Sequence, residues 1–122
     1  MVRILIVDDN IDYARKTGEL LKKKGLDFVV ASNPVEGIDQ LQTGSFEAVI
    51  TDKNVGSHRG VMPLLEFMER QREAIPVILY SWEDGAQAIQ ELYCWDFVEK
   101  ELTPEATLPA LEVPLKKYHL VA

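Results

Sequence analysis

Five polar residues each follow a short apolar run of the sequence, and their types are those that phosphoryl chemistry uses. They are Asp8 and Asp9 after residues 4–7, Asp52 after 48–50, Ser81 after 77–80, and Lys100 just past Phe97-Val98. Adjacent carboxylates repel each other unless a cation lies between them, and Mg²⁺ prefers oxygen ligands of this kind. A carboxylate can also accept a phosphoryl group, a reaction that depends on positioning and charge neutralisation. We therefore predict a magnesium site at which a carboxylate accepts a phosphoryl group.

The type of each residue predicts its role in this reaction. Asp52 attacks phosphorus, Asp9 and Asp52 hold the metal, and Lys100 balances the charge from the opposite side. Ser81 contributes a hydroxyl that donates to a phosphate oxygen once that oxygen exists. Histidine and cysteine do not cluster around these positions, which argues against zinc. Each residue alone has an ordinary interpretation, such as a turn former, a cap or a surface charge, but their joint placement favours a site.

The elements that must position these residues alternate between strand-like and helix-like segments from end to end. Short, nearly continuous apolar strands between amphipathic helices predict an α/β fold with a parallel sheet covered on both faces. The carboxyl ends of parallel strands meet at one edge of such a sheet, and ligands bind there. The polar residues that follow the strands are therefore expected to converge.

Capping residues, glycine and proline predict where the elements begin and end. The first helix runs from an N-cap at Asn10 to Gly25, the second from Ser32 or Asn33 with Pro34 to Gly44, the third opens near Val61, and a short one follows Asp84-Gly85. Thr103-Pro104 marks the start of the last helix. Because Pro109 and Pro114 each lack an amide donor, we expect this helix to be irregular, either beginning late or bending.

Composition limits the function classes. A chain of 122 residues with 47% hydrophobic content builds one domain around one core. The net charge of −7 disfavours nucleic-acid binding, which relies on Lys and Arg. No segment has the length and apolarity of a membrane span, and the start of the sequence does not resemble a secretory signal. We expect a cytoplasmic protein that does not contact membranes.

With its acidic pair at Asp8 and Asp9, an acceptor at Asp52, a hydroxyl at Ser81 and a lysine at Lys100, the chain resembles the receiver domain of bacterial two-component response regulators, of the CheY type. The resemblance covers residues 1–122 as a single receiver domain. It implies a doubly wound, flavodoxin-like, five-stranded sheet of order 2-1-3-4-5. It also implies a phosphoaccepting switch that is not an enzyme, with a histidine kinase or phosphotransfer protein as donor and a protein target or output domain.

The same resemblance assigns further residues and marks departures. The metal residues become Asp8, Asp9 and Asp52 with the backbone carbonyl of Asn54. Phe97 takes the position of the aromatic switch that follows Ser81. The bulky Trp82 stands where the family usually has a small residue. Glu101 replaces the proline that usually follows the lysine, which predicts a trans peptide there.

Two alternative functions stay open. A receiver-like interaction domain that has lost phosphorylation is one of them, because Trp82 can screen Ser81. The other is an aspartate-nucleophile phosphatase, since Asp52-Lys53-Asn54 superficially resembles the start of such a motif. A nucleotide-binding enzyme is disfavoured because neither a dinucleotide fingerprint nor a P-loop follows any predicted strand.

Overall fold

A computed structural model describes residues 2–53, 60–72, 74–82 and 93–121 of the chain. The elements of these residues are β1 (Arg3–Val7), α1 (Ile11–Lys22), β2 (Asp27–Ala31), α2 (Pro34–Thr43), β3 (Ala48–Thr51), α3 (Met62–Glu69), β4 (Val77–Ser81), β5 (Asp96–Glu99) and α4 (Pro104–Lys117). The helix predicted after Asp84-Gly85 lies outside the described residues, as does Asn54. Helix α4 corresponds to the last helix predicted from the sequence, the one that follows Thr103-Pro104.

The five strands form one sheet, and every neighbouring pair is parallel. The strand order is β2-β1-β3-β4-β5, which confirms the order implied by the sequence. Strand β1 lies between β2 and β3, with Ile4 paired to Phe28 on one side and to Ala48 on the other. The carboxyl ends of all five strands consequently lie along one edge.

Side chains alternate between the two faces of the sheet, and each face has its own apolar core. In β1, Ile4 and Ile6 belong to a core under α1 and α4, whereas Leu5 and Val7 belong to a core under α2 and α3. The first core also contains Ala14, Leu21, Ile50, Ile78, Tyr80, Leu111 and Leu115, and the second contains Val49, Leu64, Leu65 and Val77. A doubly wound fold follows from this alternation.

The asparagines predicted as N-caps do cap their helices. The Asn10 side chain accepts the amide of Tyr13 at 3.1 Å, and Asn33 is the cap of α2, accepting the amide of Glu36 at 2.9 Å. The Glu36 carboxylate accepts from the amide and hydroxyl of Ser32, and these hydrogen bonds lower its pKa. None of the described helices combines the length and the apolarity needed to cross a bilayer.

Helix α4 corrects one expectation about the last helix. It begins at Pro104, with the Thr103 hydroxyl accepting the amide of Ala106 at 3.1 Å, so the predicted late start was wrong. Pro109 and Pro114 both lie inside this helix. The helix is irregular because two of its backbone hydrogen bonds lack an amide donor. The carbonyls that lose these donors belong to Glu105 and Ala110, which are exposed residues, so water can hydrate them.

A close approach between α1 and β2 depends on Gly18. A Cβ atom at this position would lie 2.3 Å from ring atoms of Phe28. We predict that Gly18→Ala lowers the free energy of unfolding by about 1–2 kcal/mol, because the overpacking outweighs the roughly 1 kcal/mol that alanine adds to helix propensity. Urea unfolding measures the loss, with Lys16→Ala on the exposed side of α1 as the control. An unchanged midpoint for Gly18→Ala would contradict the tight packing.

Candidate functional site

Backbone hydrogen bonds to the next strand fix the positions of the residues at the carboxyl edge. Three residues just past a strand end each donate an amide hydrogen to a neighbouring strand, from Asp8 to Ala31 (3.0 Å), from Asp52 to Val7 (2.9 Å) and from Lys100 to Ser81 (3.0 Å). The ladder of the sheet therefore continues one residue into the site. The register of the strands sets the spacing of the functional groups.

Strand alternation places three of these side chains on one face. Asp8, Asp52 and Lys100 each lie two residues beyond a member of the core under α1 and α4, namely Ile6, Ile50 and Val98. Ser81 has the opposite parity in β4 and lies on the face of α2 and α3. Phe97 pairs with Leu79 and is half-buried on that same face. The two residues of the expected switch thus share a side of the sheet.

The ammonium of Lys100 bridges two buried carboxylates. Its Nζ atom lies 2.8 Å from Asp8 Oδ2 and 2.7 Å from Asp52 Oδ2. The Lys100 side chain is 1% exposed, and Asp8 is fully buried. A buried charge is tolerated only when it is paired and hydrogen-bonded, so the three side chains depend on one another.

Asp8 accepts hydrogen bonds on both of its carboxylate oxygens. The amide of Asn10 donates to Oδ1 at 2.9 Å, while the hydroxyl of Tyr80 donates to Oδ2 at 2.9 Å, beside Lys100. Burial raises the pKa of Tyr80 well above its ordinary value, and the nearby charge of Asp8 raises it further. The phenol therefore stays protonated and acts as a donor.

Three aromatic rings lie close to the ammonium of Lys100. The Nζ atom of Lys100 lies 4.5 Å from the ring centroid of Tyr80, 4.9 Å from that of Tyr13 and 5.9 Å from that of Trp82. The rings of Tyr13 and Trp82 meet edge to face at 5.9 Å. Trp82 remains 48% exposed. Ring faces attract a cation, so this arrangement favours the ammonium where it lies.

The segment after Lys100 is tied to both helices of its face. Tyr13 on α1 donates its hydroxyl to the carbonyl of Glu101 at 3.0 Å and contacts the hydroxyl of Thr107 on α4. The amide of Glu101 in turn donates to the Thr107 hydroxyl at 2.8 Å. The peptide bond between Lys100 and Glu101 is trans, as the missing proline predicted.

The three carboxylates form a cluster with the dimensions of a metal site. Asp8, Asp9 and Asp52 each offer a carboxylate oxygen, and these oxygens all lie within 4.8 Å of one another. A set made only of oxygen donors fits a hard divalent cation. Asp9 is exposed, and its pKa is raised by desolvation at the sheet edge and then by the charges of Asp8 and Asp52, with Lys100 offsetting part of the effect.

The structure brings together Asp8, Asp9, Asp52 and Lys100 at one edge, and Ser81, the last residue of β4, lies at the same edge. Tyr13 and Tyr80 were not predicted from the sequence as site residues. Tyr80 was interpreted as the end of an apolar run, although a tyrosine in a buried strand needs a partner for its hydroxyl. The need of a buried tyrosine hydroxyl for a partner could have indicated that Tyr80 donates to the site in addition to Lys100.

Comparison with known proteins agrees with this arrangement. The sequence profile of the response regulator receiver domain matches residues 4–112. The chain belongs to the response regulator receiver family. It is a receiver domain of two-component response regulators, and its structure has a cluster of three aspartates at the carboxyl edge of the sheet.

A curated relative is the transcriptional regulatory protein ZraR of Escherichia coli O157:H7. The receiver domain is 25% identical to it over 123 residues, which cover 98% of this chain. The match takes in 28% of the relative, so the chain spans little more than a quarter of that protein's length.

Solved structures share the fold of this receiver domain. The response regulator TrrA of Thermotoga maritima, solved in complex with Mg²⁺ and BeF, superposes with a TM-score of 0.81 at 23% identity, covering 97% of this chain and 99% of that one. The CheY-like receiver domain of Methanospirillum hungatei JF-1 gives a TM-score of 0.79 at 19% identity, covering 98% and 97%. Both show a sheet of the same architecture.

The raised pKa of Asp9 predicts that its charge destabilises the metal-free receiver domain. At neutral pH, Asp9→Asn should raise the free energy of unfolding by less than about 1 kcal/mol, since Asp9 is exposed and partly screened. The gain should vanish as the pH falls below about 4, where the carboxyl is protonated in the folded and unfolded states. Urea unfolding in EDTA measures it. Asp12→Asn, which removes an equal charge from α1, is the control and should give no gain.

Replacing Lys100 should lower the stability of the domain, whereas replacing Asp9 should raise it. Lys100→Met leaves Asp8 and Asp52 buried without their cation, so we expect the free energy of unfolding to fall by about 3–5 kcal/mol. Urea unfolding again provides the measurement. Lys117→Met removes a surface pair with Asp96 at 3.5 Å and should cost less than about 1 kcal/mol. Equal losses for the two lysine variants would contradict the bridging role of Lys100.

Proposed function

We propose that Asp52 accepts a phosphoryl group from the phosphohistidine of a histidine kinase or phosphotransfer protein, and that the domain then changes its surface for a downstream target. We further propose that residues 1–122 form a single receiver domain that acts in the cytoplasm. The observation that supports phosphoryl acceptance most directly is the ammonium of Lys100, bonded to both Asp52 and Asp8 beside Asp9. Two-component phosphotransfer needs an acceptor carboxylate, and Asp52 belongs to this cluster and is hydrogen-bonded to Lys100.

The transfer is a displacement at phosphorus. A carboxylate oxygen of Asp52 forms a bond to phosphorus, and the bond from phosphorus to the donor imidazole breaks with its electron pair on nitrogen. Lys100 already lies 2.7 Å from Asp52 Oδ2, so its ammonium stays close to the oxygens of the arriving group. This pre-set position supplies charge stabilisation without rearrangement.

The acidic cluster is the proposed metal site. Asp8, Asp9 and Asp52 would hold the cation together with the backbone carbonyl of Asn54, and Asp8 would do so while accepting hydrogen bonds on both of its oxygens. Held by these residues, Mg²⁺ would supply charge neutralisation for the phosphoryl oxygens. The oxygen-only donor set and the 4.8 Å limit on their separations support this assignment.

Signal output depends on Ser81 and Phe97. Ser81 is buried at the end of β4, and its hydroxyl donates to a phosphoryl oxygen on Asp52. Phe97 lies on the same face of the sheet and follows the inward movement of Ser81. The added charge of the phosphoryl group, about −1.5 to −2, drives this change. The domain is a switch and not an enzyme, since its chemistry is limited to its own phosphorylation and dephosphorylation.

Acetyl phosphate with Mg²⁺ tests phosphoryl acceptance without a kinase. Intact-protein mass spectrometry should show one phosphoryl adduct on the wild-type domain, because Lys100 and the metal stabilise the charge that Asp52 acquires. The adduct should disappear with EDTA and in Asp52→Asn. Asp96→Asn, which changes an aspartate outside the site, should keep the adduct.

Two other outcomes would favour the alternatives. No adduct, combined with partner binding that Asp52→Asn leaves unchanged, would indicate an interaction domain, in which Trp82 at 5.9 Å from the ammonium screens the site. Release of inorganic phosphate from an organic phosphate beyond one equivalent of protein would indicate a phosphatase.

A further inference from the structure

The hydroxyl of Tyr80 shares one carboxylate oxygen with Lys100. It lies 2.9 Å from Asp8 Oδ2, and the ammonium lies 2.8 Å from the same atom. Tyr80 is fully buried in β4, and its ring packs against Tyr13 with centroids 6.2 Å apart. A phenylalanine would fill the same space, so the packing of the core does not explain why a hydroxyl is present.

Burying a hydroxyl is costly unless it makes a hydrogen bond, and this one donates to a charged group. The bond draws part of the negative charge of Asp8 towards the phenol. Less of that charge is then directed at Lys100. The ammonium lies at nearly equal distances from Asp8 and Asp52, 2.8 Å and 2.7 Å, so its position is sensitive to the charge that each carboxylate presents.

Other groups near Asp8 do not replace this donor. The hydroxyl of Tyr13 is occupied with the Glu101 carbonyl and the Thr107 hydroxyl. The amide of Asn10 donates to Oδ1 and not to Oδ2. Among the described residues, Tyr80 is thus the hydroxyl that balances the charge on this oxygen, while its ring face at 4.5 Å helps to hold the ammonium.

We propose that Tyr80 is a positioning residue for phosphoryl acceptance. Its hydroxyl weakens the hold of Asp8 on Lys100, so that the ammonium stays bonded to Asp52 and is available to the arriving phosphoryl group. The same hydrogen bond reduces the attraction of Asp8 for a divalent cation. This inference rests on the proposed function.

Tyr80→Phe tests the hydroxyl while it keeps the ring. Without the hydroxyl, the full charge of Asp8 acts on its surroundings, so calorimetry should show Mg²⁺ binding that is tighter by about three- to tenfold. Lys100 moves towards Asp8, so phosphorylation by acetyl phosphate at saturating Mg²⁺ should slow by a similar factor. Changes in opposite directions are the signature, because general damage to the fold would weaken both.

Tyr118→Phe is the matched control. Its hydroxyl donates to the carbonyl of Trp95 at 2.9 Å, away from the acidic cluster, so both measurements should stay at the wild-type values. Fluorotyrosine incorporated at position 80 provides a second variant with a more acidic hydroxyl and a stronger donor. It should weaken Mg²⁺ binding, opposite to Tyr80→Phe.

The results separate two kinds of failure. If the wild-type domain neither binds Mg²⁺ nor forms the adduct, the proposed function and this inference are both wrong. If the wild type does both and Tyr80→Phe behaves as Tyr118→Phe does, this inference alone is overturned. A fall in both Mg²⁺ affinity and phosphorylation in Tyr80→Phe would also overturn it, since Tyr80 would then only support the fold.

Discussion

The site depends on one buried ammonium that two carboxylates share. Asp8 and Asp52 come from the ends of neighbouring strands, and in the absence of Lys100 their charges would repel each other inside the protein. Lys100 offsets only part of the negative charge, because Asp9 lies beside the pair. The remaining excess of negative charge is what makes a divalent cation a suitable ligand.

Much of this arrangement follows from the sequence because it depends on local periodicity. Apolar runs of strand length predicted all five strands, and the residues after them converge because parallel strands end at one edge. The caps at Asn10 and Asn33 were also predictable, since a helix start requires a nearby acceptor. These features need no knowledge of distant contacts.

The features that were not predicted from the sequence depend on contacts between residues that are far apart along the chain. The bond from Tyr80 to Asp8 joins residues 72 positions apart, and within an apolar run a tyrosine resembles any other core residue. The prolines of α4 misled for a related reason. Local preference argued for a delayed start, but Leu111 and Leu115 are buried in the core, and the lost hydrogen bonds fall at exposed residues. Burial of the inner side outweighed the local cost.

Tyr13 links parts of the molecule that the sheet does not connect directly. One phenol joins the first turns of α1, the segment after Lys100 and the start of α4. The first turns of both helices in this layer are therefore tied to each other and to the segment after Lys100 through one side chain. Ser81 and Phe97 lie on the opposite face of the sheet from these hydrogen bonds. A displacement of those two residues consequently does not require the hydrogen bonds of Tyr13 to break.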